Sequence, residues 1–187
     1  MIKTLQISEK EAWDVAFNAL ISNQTSDENA REVADALINA EFDGQAGHGL
    51  SRIPSYVEQV LSGKVAGKVS PSLLSSKGSV IRVDANHGFA FPAISLALSE
   101  ITKTCKSFGI AAASISRSHH FGQAGRHVER LAEDGLIGLM FGNTPKAIPP
   151  WGGSKPLLAS TRMTLPFELK SEGDTLPATL PDNTCST

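Results

Sequence analysis

The chain has 187 residues, 41% hydrophobic and 19% charged, so it is long enough to bury one sizeable core and is not an intrinsically disordered protein. Its 17 Lys and Arg against 19 Asp and Glu give a net charge of -2, which offers no bulk attraction to nucleic acid or to an anionic membrane. The two cysteines, Cys105 and Cys185, form no CxxC motif and favour a reducing compartment. Neither an N-terminal apolar region nor a run of about 18 apolar residues occurs. We therefore expect a cytoplasmic protein that binds neither nucleic acid nor a membrane.

Helical spacing of apolar residues dominates the first third of the chain. Ser8 to Glu11 has the form of a capping box, which marks the start of the first helix. Glycines mark where the later helices end. The predicted helices span about 9–21, from Thr25 or Ser26 to Asp43-Gly44, and from Ile53 to Gly63, with a glycine-rich loop at 44–49.

The remainder alternates between strand-like and helical segments, which predicts a mixed α/β class. The predicted elements are a strand over Ser79–Asp84, a helix over 91–107 closed by Gly109, a strand over Ile110–Ser116, a helix over Gln123–Asp134 and a strand over Leu136–Phe141. Residues 159–187 are rich in Thr, Ser and Pro and have weak periodicity, so we expect a poorly ordered tail there.

The first candidate site is Gly47-His48-Gly49-Leu50-Ser51-Arg52. A histidine between two glycines has little local packing to bury it, so its imidazole can face a cleft. Arg52 can offer its planar guanidinium to a carboxylate, and Tyr56 lies one turn further on the same helix face. The alternative is a flexible loop with a solvated histidine and a surface arginine.

The second candidate site is Ser118-His119-His120-Phe121-Gly122, which follows a predicted strand. Ligands of α/β sheets usually bind at the carboxyl ends of strands, and a histidine there can be a general acid or base. The alternatives are one core histidine beside a solvated one, or metal ligation together with His127. Gly122 to Gly125 can also cradle a phosphate at the next helix N-terminus.

Two further loops carry polar residues after predicted strands. Asn143-Thr144-Pro145, with Trp151-Gly152-Gly153 beyond it, offers hydrogen bonds for a ribose or phosphate, or simply forms turns. Asp84-Ala85-Asn86-His87-Gly88 is typical of an Asx turn, with a metal or catalytic loop as the alternative. The GxGxxG fingerprint is absent, so a Rossmann cofactor domain is unsupported.

Taken together, these motifs resemble the malate/L-lactate dehydrogenase family, which includes ureidoglycolate, sulfolactate and diketogulonate dehydrogenases and piperideine-2-carboxylate reductases. The resemblance covers about 5–158 and rests on Asp43 to Arg52 with Pro54 and Tyr56, Val83 to Gly88, Ser118 to Gly122 with Ala124-Gly125, and Asn143 to Pro145 with Pro150 to Gly153. It implies a non-Rossmann NAD(P)-dependent α/β fold that is incomplete at its C-terminus. The implied division is 1–115 for the helical and substrate lobe, 116–158 for the start of the NAD(P)-binding domain, and 159–187 for a divergent tail.

The resemblance also implies roles for individual residues. His120 would be the catalytic acid/base and His48 a second cleft histidine, sometimes assigned as the proton donor. Arg52 would bind the substrate carboxylate and Tyr56 would line the site. Asn143, Thr144 and Gly122 would contact NAD or NADP, and no metal is needed because the nicotinamide supplies the hydride chemistry. The implied substrates are small 2-hydroxy/2-oxo acids or cyclic imines, and the implied assembly is a homodimer.

The chain departs from the family pattern at two places. Gly47 stands where the family commonly has serine, and after Leu158 the expected Gly-Thr-Asn-Pro segment is replaced by Ala159 to Met163. We therefore expect a truncated or frameshifted product, inactive if half of the cofactor site is missing. One alternative function is a non-catalytic remnant or module that binds a carboxylate through Arg52. Another is a metal hydrolase that uses His87, His119 and His120.

Overall fold

The computed structural model describes residues 6–143, 146–155, 158–159 and 162–164, which fall into two compact units that divide between Gln123 and Ala124. The first unit consists of helices and a three-stranded sheet, and the second contains one helix and two short strand pairs. The boundaries that the sequence suggested, at 115 and 158, stay predictions. None of the helices in the described ranges has the length and apolarity needed to span a membrane.

The three helices predicted for the first third of the chain are confirmed: α1 (Glu9–Ile21), α2 (Asp27–Phe42) and α3 (Ile53–Leu61). Ser8 and Glu11 form the reciprocal capping box that begins α1, and the hydroxyl of Ser26 accepts the Asn29 N–H at the start of α2. Their apolar faces meet in one core, which consists of Leu20, Ala30, Val33, Leu37, Tyr56, Val60, Val65, Phe89 and Phe91.

The sheet of the first unit has the order β1 (Ser72–Lys77), β2 (Val80–Asp84), β3 (Ala112–Ser116). Strand β2 is antiparallel to β1 and parallel to β3, and α4 (Ala90–Phe108) connects the parallel pair. Ile81 and Val83 of β2, a strand that the sequence predicted, are buried with alanines of α4. Gly109 closes α4 in the left-handed conformation, also as predicted.

Strand β1 was not predicted from the sequence. Its residues, Ser-Leu-Leu-Ser-Ser-Lys, lack the strict alternation of a half-buried strand, and nearly all of them are exposed. The strand exists because it pairs with β2, with a register shift between Leu73 and Ser75. An edge strand of this kind depends on its partner more than on its own pattern.

The loops after β2 and β3 leave the sheet side by side, because Asp84 and Ser116 are partners in the parallel register. Asp84 accepts the Asn86 N–H at 2.8 Å, which confirms the predicted Asx turn. Asn86, His87 and Arg117 adopt positive φ, and the His87 N–H donates to the Arg117 carbonyl. The two loops therefore form one hydrogen-bonded edge.

The second unit contains α5 (Ala124–Glu133) and two antiparallel pairs, β4 (Met140–Gly142) with β7 (Arg162–Thr164) and β5 (Lys146–Ile148) with β6 (Leu158–Ala159). The strand predicted over Leu136–Phe141 begins only at Met140. The Leu136 N–H still donates to the last turn of α5, and Gly138 packs closely on Leu131 and Val128. Packing against the helix thus occupies the first residues of the apolar run. Of the predicted tail, Ala159 and Arg162–Thr164 lie in strands, and 160–161 and 165–187 lie outside the described residues.

Candidate functional site

His48 lies in a pair of 3-10 turns, Ala46–His48 and Leu50–Arg52, between α2 and α3. The carboxylate of Glu41, in the last turn of α2, accepts the Leu50 N–H at 2.7 Å. Ser51 Oγ donates to the Ala46 carbonyl at 2.6 Å, and Arg52 Nε donates to the Gly47 carbonyl. The glycine-rich segment is therefore a hydrogen-bonded turn, in which the His48 side chain is half-buried.

The structure brings His48, Tyr56 and His120 together, although 64 residues separate Tyr56 from His120. The Tyr56 hydroxyl oxygen lies 2.8 Å from His120 Nδ1, and the Gly122 N–H donates to the same nitrogen at 3.3 Å. The rings of His48 and His120 stack with centroids 5.5 Å apart and planes 14° apart. Two imidazoles in this arrangement can hold or move a proton, but two charged rings this close would repel each other.

His119 has a different environment from its neighbour His120. Its Nε2 lies 2.9 Å from Gln59 Oε1, while Gln59 Nε2 donates to Ser55 Oγ at 2.9 Å, so the amide oxygen is the acceptor of a His119 Nε2–H. Burial, and secondarily the charge of Lys64, lower the pKa of His119 to about 4. His119 is therefore neutral at physiological pH. Gln59 was missed by the sequence analysis, although its position one turn after Tyr56 on α3 was a usable signal.

Tyr56 is almost fully buried, with 2% of its surface exposed, and packs near Phe89. Burial raises the pKa of its phenol to about 12, and the positive charge of Arg52 partly offsets that rise. The phenol thus stays protonated at neutral pH, and the Arg52 guanidinium is close enough to act on it. A carboxylate bound by Arg52 would therefore lie on the side of the site where Tyr56 is found.

Gly122 adopts φ +67°, and a Cβ there would meet the Phe91 ring at 2.9 Å. The following residue, Gln123, donates from Nε2 to Asp43 Oδ2 at 2.9 Å, which ties this segment to the end of α2. Gln123 Oε1 is buried and has no hydrogen-bond partner among the residues that the structure covers. Asn143 is exposed in the second unit, and Thr144 lies outside the described residues.

The histidines do not form a metal centre in the described part of the chain, where no three His, Cys, Asp or Glu residues are grouped to hold an ion. His87 is exposed in its left-handed turn, His119 binds Gln59, and His120 Nδ1 is engaged by the Tyr56 hydroxyl and the Gly122 N–H. The metal-hydrolase hypothesis therefore has no ligand set among these residues.

A family model described as malate/L-lactate dehydrogenase matches residues 7–168. The match ends ten residues beyond Leu158, where the resemblance indicated by the motifs ends.

Two curated relatives and one solved structure illustrate the similarity. The (2R)-3-sulfolactate dehydrogenase (NADP(+)) of Chromohalobacter salexigens is 47% identical over 151 residues, which are 81% of this chain and 45% of the relative. The Δ1-pyrroline-2-carboxylate/Δ1-piperideine-2-carboxylate reductase of Pseudomonas syringae pv. tomato is 34% identical over 84% of this chain and 46% of the relative. The crystal structure of Δ1-piperideine-2-carboxylate reductase from that organism superposes with a TM-score of 0.80 at 33% identity, covering 87% of this chain and 49% of that one. The chain thus spans a little under half the length of these relatives.

Proposed function

The chain belongs to the malate/L-lactate dehydrogenase family, and we propose that it carries the substrate-binding and proton-transfer residues of an NAD(P)-dependent oxidoreductase. The reaction interconverts a 2-hydroxy acid and a 2-oxo acid, or reduces a cyclic imino acid. The observation that carries this proposal is the stacking of His48 on His120 beside the buried hydroxyl of Tyr56 and the charge of Arg52.

Arg52 is the proposed carboxylate-binding residue. Its Nε is engaged by the Gly47 carbonyl, so the side chain is oriented before a substrate arrives. The two Nη groups then offer the donors that a carboxylate accepts in pairs. Both proposed substrate classes carry a carboxylate next to the reacting carbon, so one binding mode serves both.

The histidine pair is the proposed proton-transfer group. When bound, the nicotinamide cofactor supplies the hydride, which adds to the carbonyl or imine carbon during reduction. A proton must then reach the oxygen or nitrogen of the same double bond, and an imidazole that titrates near neutral pH can deliver it. Because two charged rings at 5.5 Å repel, we expect one ring to carry the proton while the other stays neutral.

The described residues fit part of a cofactor site. Gln123 Oε1 is buried and accepts no hydrogen bond from the described residues, which suits a donor such as the nicotinamide carboxamide N–H or a ribose hydroxyl. Gly122 and Gln123 would therefore hold one side of the cofactor, and we propose Asn143 and Thr144 as further contacts. The cofactor is NAD or NADP, and residues 116–158 are the proposed start of its domain.

We propose a cytoplasmic location and a homodimer as well. Cys105 is a free thiol, in keeping with a reducing compartment. Large apolar side chains are exposed in the described ranges, including Phe42, Phe108, Ile110 and Leu74, and a partner would cover such surface. Light scattering at several concentrations tests the dimer, and a monodisperse monomer would contradict it.

The first experiment is a fluorescence titration of the 187-residue protein with NADH and NADPH, beside a thermal melt that verifies folding. Oxidation of the reduced cofactor is then measured with pyruvate, oxaloacetate and Δ1-piperideine-2-carboxylate. Arg52→Met should raise KM about 30- to 150-fold, the equivalent of a charged hydrogen-bond pair worth roughly 2–3 kcal/mol, without changing cofactor affinity. Arg31→Met is the matched control, because Arg31 pairs with Asp27 on the exposed face of α2.

Two other outcomes are informative. A folded protein that binds the acids through Arg52 but binds neither cofactor would favour the carboxylate-binding module. All of His48, Arg52, Tyr56 and His120 lie in the first unit, so such a module would contain the complete cluster. A folded protein that binds neither acids nor cofactors would refute both functions.

A further inference from the structure

We propose that Tyr56 is a positioning residue that, together with the Gly122 N–H, keeps Nδ1 of His120 unprotonated, so that the neutral ring carries its proton on Nε2. The inference about the tautomer is drawn from the contacts of His120 Nδ1 with the Tyr56 hydroxyl and the Gly122 N–H. Only the role that the tautomer gives His120 in the reaction rests on the proposed function. No catalytic contact of Tyr56 with the substrate is required.

The argument begins with the backbone of Gly122. A peptide N–H can only donate, and this one points at His120 Nδ1 from 3.3 Å. An Nδ1–H in the same direction would place two hydrogens against each other, so Nδ1 must present its lone pair. The Nε2–H tautomer is the neutral form that satisfies this contact.

The hydroxyl of Tyr56 then has one compatible orientation. Its oxygen lies 2.8 Å from the same Nδ1, so it donates its hydrogen to the lone pair. The phenol keeps that hydrogen through the physiological range, because burial raises its pKa to about 12. A phenol is a stronger hydrogen-bond donor than acceptor, so this contact adds to the preference for an unprotonated Nδ1 that the Gly122 N–H sets.

Both donors are held rigidly, so the ring must adapt to them. Tyr56 belongs to the core cluster with Phe89 and Val60, which restricts its ring. Gly122 is fixed by its left-handed backbone and by close contact with the Phe91 ring. Stacking on His48 further limits the tilt of the His120 imidazole.

The tautomer of His120 implies different roles for His120 and His48. A neutral imidazole with Nε2–H is a hydrogen-bond donor, which polarises a carbonyl or imine without itself being a strong acid. Its Nε2 has no lone pair to accept a proton from a hydroxy acid. His120 would therefore orient and polarise the substrate, and the transferred proton would pass through His48.

The test is long-range proton–nitrogen NMR of the imidazoles in the uniformly ¹⁵N-labelled 187-residue protein at pH 7.5, with His120→Gln identifying the His120 signals. In the parent protein, His120 Nδ1 should resonate as an unprotonated nitrogen and Nε2 as a protonated one. Tyr56→Phe should lower the tautomer ratio about 3- to 10-fold, because a neutral hydrogen bond contributes on the order of 1 kcal/mol. Both His120 nitrogen signals would then move toward each other.

Gln59→Leu is the matched control on the same helix. It removes the acceptor of His119 and should shift only the His119 nitrogens. A protonated Nδ1 in the parent protein, or an unchanged tautomer in a folded Tyr56→Phe variant, would overturn the inference. If the tautomer follows the expectation in a protein without cofactor binding, the proposed function fails while the inference stands. If the protein is active but Tyr56→Phe leaves the tautomer unchanged, only the inference fails.

Discussion

The carboxylate of Glu41 occupies the space in which a side chain on Gly49 would begin. A Cβ at Gly49 would lie 2.2 Å from Glu41 Oε1, and the same oxygen accepts the Leu50 N–H at 2.7 Å. Glycine at this position thus lets the end of α2 hold the turn that carries His48. The Glu41 side chain therefore stabilises the turn that positions His48.

Gly49→Ala should therefore displace the Glu41 carboxylate and destabilise the protein by about 1–2 kcal/mol, the range for losing a hydrogen bond to a charged group near the surface. Urea denaturation measures the loss. Glu41→Gln retains an oxygen acceptor and should cost less than Glu41→Ala. The double variant Glu41→Ala/Gly49→Ala should lose less stability than the sum of the losses in the two single variants, because both substitutions remove the same interaction. Strict additivity would show that the two residues are not coupled.

Gly122 and Gly109 form a second matched pair, because both have φ near +70° but differ in their surroundings. No atom of the described residues lies within 4 Å of a Cβ at Gly109, so Gly109→Ala should cost only the backbone strain of about 1 kcal/mol. At Gly122 the Phe91 ring adds a steric clash, so Gly122→Ala should cost about 2–4 kcal/mol. Equal losses in denaturant would mean that Phe91 moves aside freely.

The pH dependence of stability should reveal His119. Its pKa is lowered to about 4 in the folded protein, while an unfolded histidine titrates near 6.5, so the unfolded state binds the proton first on acidification. The contribution of neutral His119 to the free energy of unfolding is therefore fully present above about pH 6.5, and it decreases as the pH falls from 6.5 toward 4. After allowance for solvent screening, we expect a loss of roughly 1–2 kcal/mol over this window.

Two measurements check this expectation. The His119 ring protons should titrate with a midpoint of about 4 in NMR, and His119→Gln should flatten the stability profile between pH 6.5 and 4. Lys64→Met should raise the midpoint, whereas Lys10→Met, which affects an exposed pair with Asp14, should leave it unchanged. A midpoint near 6.5 in the parent protein would contradict the burial of this ring.

Asp84 should dominate the response at lower pH. Hydrogen bonds from Arg117, whose Nε lies 3.0 Å from Oδ1, and from the Asn86 N–H lower the pKa of this carboxyl. Its contribution to stability is therefore complete above the ordinary carboxyl pKa of about 4 and is lost as the pH falls through the lower folded value.

Asp84→Asn should destabilise the protein at pH 7, and its difference from the parent should shrink on acidification below about pH 4. Arg117→Lys keeps the charge but loses the planar fork, so its acid transition should begin at higher pH. Denaturation curves at a series of pH values provide both comparisons. A constant difference between parent and Asp84→Asn across the acid range would exclude this ion pair as the cause.

Local patterns determined much of this protein. The capping box of α1, the apolar faces of α1 to α3 and the glycine after α4 act within a few residues, so the helices could be predicted from their own sequence. The Asx turn at Asp84 is equally local. The motifs also marked His48, Arg52, Tyr56 and His120 as candidates, because His48 lies between two glycines with Arg52 and Tyr56 shortly after it, and His120 follows a predicted strand.

Tertiary structure decided the rest. Strand β1 forms through pairing with β2, and the apolar run before Met140 packs on α5 instead of entering a strand. The sequence treats His119 and His120 alike, but Gln59 binds one and Tyr56 the other. Hydrogen bonds between residues about 60 positions apart depend on how helices and loops pack, and no periodicity in the chain records that packing.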